Sequence, residues 1–87
     1  MTAQHHRVIR VLEWYEKEGV DLVGEVALPT LTLSVLEGLF GVQKDDPFFY
    51  NKYEVLPAHA EVLQGFTTVT IELDNYAYLV ACYASDS

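Results

Sequence analysis

Residues 67–84, TTVTIELDNYAYLVACYA, are β-prone throughout and commit the end of the chain to a sheet. Ile71 and Leu73 alternate with Thr70 and Glu72. Farther on, Tyr76, Tyr78, Val80 and Cys82 take one face of a strand, and Ala77, Leu79, Ala81 and Tyr83 the other. Asp74-Asn75 can make a tight turn that splits the run into two strands. No glycine stands there, so one long strand with an irregularity is an equally open reading.

The start of the chain also reads as sheet. RVIRVLEWYE, 7–16, is rich in β-branched and aromatic residues. Gly19 supplies a turn, and LVGEVAL, 22–28, follows as the second strand of a hairpin. Pro29 ends it, because proline cannot donate to a sheet ladder. Between the two β regions the hydrophobic period changes. Leu33, Leu36, Leu39 and Phe40 recur at helical spacing, with Thr32 placed to cap the N-terminus and Gly41 just past the C-terminus. The spacing predicts a helix over 33–40. A loop over 42–52, a short strand over 52–56 and a helix over 57–65 complete the order. In the second helix Pro57 suits the first turn, and Leu56, Ala60, Leu63 and Phe66 form one apolar face. Leu56 is a poor N-cap. The order β-β-α-β-α-β(β) predicts an α+β domain over 7–84, a mostly antiparallel sheet of four or five strands with two short helices on one face. Residues 1–6 read as a loose tail.

An 87-residue chain is one domain, and its size limits it to burying about 60–65% of its unfolded surface. The 51% hydrophobic content is enough for a folded globule. No apolar run approaches the roughly 18 residues of a membrane span. No secretory leader is evident, and the single cysteine, Cys82, permits no internal disulfide. A cytoplasmic protein is expected. Thirteen acids against five bases leave a net charge of −8, and from Val11 onward thirteen acids face three lysines. That field repels nucleic acid and anionic membranes and attracts a basic protein; it also serves solubility.

Catalytic chemistry finds no support. Asp45 and Asp46 are adjacent loop residues before Pro47, and they read as a turn rather than as an acid-base pair converging on a substrate. The spaced acidic loop of a calcium site is missing. His5-His6 and His59 lack zinc spacing. Cys82 lies in an apolar strand of an acidic protein, where a thiolate is disfavoured. No phosphate-binding glycine loop or nucleophile elbow is present. No enzyme, metal or cofactor is expected. The aromatic residues carry more. Phe48, Phe49, Tyr50 and Tyr53 cluster beside Asp45 and Asp46, and Tyr76, Tyr78 and Tyr83 lie near Glu72 and Asp74. Tyrosines beside carboxylates suit a protein interface. Phe48 or Phe49, with Tyr53, is expected to seal the core, while both acids, Tyr50 and at least one of Tyr76 and Tyr78 face outward.

Leu36, Leu39, Phe40 and Gly41, then Asp45, Asp46 and Pro47, then Tyr50 and Tyr53, and finally Tyr76 and Tyr78, follow a shared pattern. Over residues 20–84 it resembles small bacterial immunity proteins of contact-dependent growth-inhibition systems. The resemblance implies a cytoplasmic protein that binds and blocks the C-terminal toxin domain delivered by neighbouring cells, in a one-to-one heterodimer. Such toxins are often nucleases, whose basic clefts suit an acidic inhibitor. Together with the acid-aromatic clusters it nominates Asp45, Asp46, Tyr50, Glu72, Asp74, Tyr76 and Tyr78 as toxin contacts. The other reading is an acidic adaptor or regulatory subunit of a resident basic protein.

Overall fold

In the first strand Val8, Arg10, Leu12 and Trp14 alternate with Ile9, Val11, Glu13 and Tyr15. In the structure, a computed structural model that describes residues 7–85, this run is β1, Arg7–Glu16. The expected tail, 1–6, lies outside the described residues. After a turn closed by the Gly19 amide on the Glu16 carbonyl, 3.2 Å, the chain returns as β2, Leu22–Ala27. Its register places Leu12 opposite Val26 and Glu13 opposite Glu25, with an irregularity between Trp14 and Tyr15. Gly24 faces Trp14. A Cβ on Gly24 would fall within 2.6 Å of indole Cε2, so the missing side chain is what lets the tryptophan lie on the strand.

Helix α1 spans Leu33–Phe40, as its spacing predicts. Thr32 Oγ1 accepts the Val35 amide at 3.2 Å, and Gly41, at φ 81°, donates its N–H to the Glu37 carbonyl at 2.9 Å. Strand β3 is only Tyr53–Glu54, shorter than the expected 52–56, although the Val55 amide still reaches the Tyr78 carbonyl at 2.9 Å. Helix α2 is Pro57–Leu63 and tightens into a 3-10 turn over Gln64–Phe66. The weak cap is compensated locally, because His59 Nδ1 accepts the Leu56 amide at 3.0 Å. Leu56 itself stays exposed, against the expected apolar face.

The β-prone run divides differently from expectation. Only Tyr76–Ser85 is strand, β4, and it is unbroken. Residues 67–75 form no strand, because side chains take the backbone bonds a ladder would need. Gln64 donates Nε2 to the Val69 carbonyl at 2.6 Å and accepts the Ile71 amide on Oε1 at 2.9 Å. Thr67 Oγ1 accepts the Val69 amide. A turn follows, with the Asn75 and Tyr76 amides on the Glu72 carbonyl.

The result is an α+β fold, a four-stranded antiparallel sheet in the order β2-β1-β4-β3 with two helices. The β1–β4 ladder runs from Arg7 opposite Ser85 to Glu16 opposite Tyr76. Leu12, Tyr78 and Val80 share one face, and they pack with Leu36 of α1, Leu63 of α2, Leu28, Leu31, Phe49 and Val55 in one buried cluster. Burying side chains of this size stabilises by roughly 1.5–3 kcal/mol each. Both helices cover this face of the sheet.

Candidate interaction surface

The loop between α1 and β3 is built around Asp46. Burial pushes its carboxyl up, but the Tyr53 hydroxyl, the Asn51 and Tyr50 amides and the Arg10 charge outweigh that and hold it below the usual carboxylate range. The bonds are 2.6 Å from Tyr53, 3.0 Å from Asn51 and 2.8 Å from Tyr50. Burial, then the Asp46 carboxylate, push the Tyr53 hydroxyl up to about 12. The Phe49 amide also donates to the Asp46 carbonyl at 3.0 Å. Phe49 takes φ 56°, a left-handed conformation that costs a bulky residue roughly 1–2 kcal/mol. It is held there from the sheet. Arg10 of β1 donates Nη1 to the Phe49 carbonyl at 2.7 Å and Nη2 to the Phe48 carbonyl at 2.9 Å.

This frame sorts the rings. Phe49 is buried, and with Tyr53 it packs on Phe40, as expected of the pair that seals the core. Phe48 and Tyr50 point out, 53% and 54% exposed, and stack with centroids 5.8 Å apart. Asp45 is exposed beside them. Two nominated contacts are corrected. Asp46, expected outward, is buried because its carboxylate organises the loop. Tyr78, 2% exposed, is a core residue whose ring is tilted against Trp14, centroids 5.7 Å apart, and its hydroxyl accepts the Glu72 amide at 2.9 Å.

Glu72, Asp74 and Tyr76 lie at the other end of the sheet, where Tyr76 pairs with Glu16. The loop is tied to Arg10, six residues back along β1, or about 20 Å at strand rise. Glu72 and Asp74 are exposed, and Tyr76 is half-buried. The seven nominated residues therefore do not form one patch. Among the described residues, no group of three or more His, Cys, Asp or Glu side chains could hold a metal ion, and no helix is long and apolar enough to cross a membrane.

The second face of the sheet carries a cluster that the sequence reading did not single out. Residues paired across strands share a face, so Glu25, Glu13, Leu79 and Glu54 form one row across β2, β1, β4 and β3. Glu13 is 1% exposed although no helix lies above it. Its own neighbours cover it. Oε1 accepts the Tyr15 hydroxyl at 3.0 Å and pairs with Lys52 Nζ at 3.1 Å, while Oε2 accepts the Tyr83 hydroxyl. Burial pushes this carboxyl up, and the bonds from Tyr83, Lys52 and Tyr15 outweigh it and hold it below the ordinary range. The same contact with Glu13 pushes the Lys52 ammonium up, and hydrogen bonding to Glu13 pushes the Tyr83 hydroxyl up. The sequence shows Glu13 only as a carboxylate between apolar and aromatic residues, and two of its three partners, Lys52 and Tyr83, are distant in the chain.

Fold and surface together define a small two-layer α+β protein with one sheet face left without a helical layer. The chain belongs to the family described as domain of unknown function (DUF7683), whose model matches residues 9–81. The matched span takes in Glu13, Asp46 and Lys52 and stops short of Tyr83. Among curated proteins, no match to the chain was found.

Proposed function

We propose that this protein is a cytoplasmic immunity protein that binds a basic toxin domain one-to-one and neutralises it. The observation that carries the reading is the stacked, exposed Phe48–Tyr50 pair beside Asp45, on a loop pinned by Arg10 and Asp46. Rigid aromatic side chains supply contact area at little entropic cost, and they are the residue types that dominate interface hot spots. A net charge of −8 then favours a partner rich in lysine and arginine, such as a nuclease that must hold phosphates. The toxin-contact set becomes Asp45, Phe48 and Tyr50, with Glu72, Asp74 and Tyr76 as a separate acidic patch.

The test is co-expression with the toxin domain encoded beside this chain. Growth is expected to continue, and cells dying as fast with the chain as without it overturn the reading. A stable resident partner recovered from toxin-free cytoplasm, together with that failure, would instead support an acidic adaptor.

A further inference from the structure

We propose that the sheet face opposite the helices is a second interaction surface, and that it takes a protein segment with an apolar centre and flanking arginine or lysine side chains. Val11 and Ala81 pair beneath this face and are themselves buried. Ile9 and Tyr83, paired with each other across β1 and β4, stand beside them, 43% and 41% exposed. A shallow depression opens at one end of the same face, lined by Tyr15, Val20, Ala77 and Leu79 together with the charged Glu16, Lys17 and Glu54.

The charges select the occupant. Glu13 is neutralised by Lys52. Glu25 and Glu54 lie to either side in the same row, exposed, and neither has an ion-pair partner among the described residues. The row thus carries two exposed carboxylates, one on each side of the Glu13–Lys52 pair and Leu79, with the exposed Ile9 and Tyr83 farther along the same face. Interfaces commonly put apolar contact in the middle and charge at the rim, with the charges complementary across it. A second copy of this chain does not fit, because two such faces would oppose carboxylate to carboxylate.

The buried Glu13 contributes rigidity. Its bonds to the Tyr15 and Tyr83 hydroxyls hold both rings down on the sheet before any partner arrives. Lys52 Nζ lies 6.0 Å from the Tyr15 ring centre and 5.9 Å from that of Tyr83, which ties the two together. Side chains already ordered lose less freedom on binding. Glu13 is therefore a positioning residue of this surface and makes no contact with the partner.

The inference rests on the immunity reading only for the identity of a natural partner, so its test uses a different probe. An eight-residue peptide of alternating arginine and valine is titrated into the full chain and followed by amide NMR. Saturable shifts are expected at Tyr15, Glu25, Glu54 and Leu79, and none with a glutamate-valine peptide. The Glu25→Lys/Glu54→Lys double variant, with unchanged melting, is expected to bind at least tenfold more weakly. Glu13→Gln is expected to weaken binding less and to broaden the Tyr15 and Tyr83 ring signals. Shifts spread over Glu37, Glu61 and Glu72 as much as over this face overturn the inference, as does a double variant that binds like wild type. A chain that takes the peptide on this face yet protects no cell from toxin keeps the inference and removes the immunity reading.

Discussion

Removing the Asp46 carboxylate would leave the Tyr50 and Asn51 amides and the Tyr53 hydroxyl without their acceptor. Hydrogen bonds to a charged group contribute about 1.5–3 kcal/mol, and orphaned buried donors add to the loss. Asp46→Ala is expected to cost about 3 kcal/mol in a urea melt, and Tyr53→Phe about 1 kcal/mol. The two should couple in a double-mutant cycle, since they share a bond. Lys52→Met strands the Glu13 carboxylate with only two hydroxyls and should cost more than the Glu13→Gln/Lys52→Met pair, because an unpaired buried charge is worse than none. Both Asp46 and Glu13 have folded pKa values below their unfolded ones. Their contribution is therefore present above the unfolded carboxyl range, about 4, and is lost as pH falls through the lower folded values. Melting temperature should drop steeply below about pH 4, and less steeply in Asp46→Asn. An identical acid profile in the variant would contradict the role given to Asp46.

Helix α1 was legible because every local signal agreed: Thr32 to cap, leucines at helical spacing, Gly41 to stop. Thr32→Ala is expected to cost about 1 kcal/mol, the usual loss of an N-cap oxygen. The β1–β2 hairpin was legible too, but the packing of Trp14 on Gly24 was not, since it depends on register. Gly24→Ala should cost about 1–3 kcal/mol and shift tryptophan fluorescence as the indole is displaced. Segment 67–75 read as strand because Thr, Val and Ile favour sheet. It is not strand because Gln64, on the preceding turn, supplies bonds that a single-sequence reading does not foresee. Asp46 beside Pro47 looked like an exposed turn acid for a similar reason. Its partners lie four, five and seven residues ahead and converge only once Phe49 adopts positive φ. Glu13 was hidden more deeply, because Tyr83, one of its partners, is 70 positions away.

Seen whole, the molecule has helices on one side of a sheet, a carboxylate row on the other, and a pinned aromatic loop clamped to β1. The −8 charge gives association a steering component. Raising salt from about 50 to 500 mM shortens the screening length about threefold, so the association rate with a basic partner should fall markedly. A toxin domain gripped through Phe48 and Tyr50, as proposed, is to be sought by calorimetric titration of the purified neighbouring toxin domain with wild-type chain and with Phe48→Ala/Tyr50→Ala. A one-to-one complex is expected for the wild type and at least a tenfold weaker one for the variant, about 1.4 kcal/mol or more. No heat of binding from the wild type, or equal affinity in the variant, would contradict the proposal.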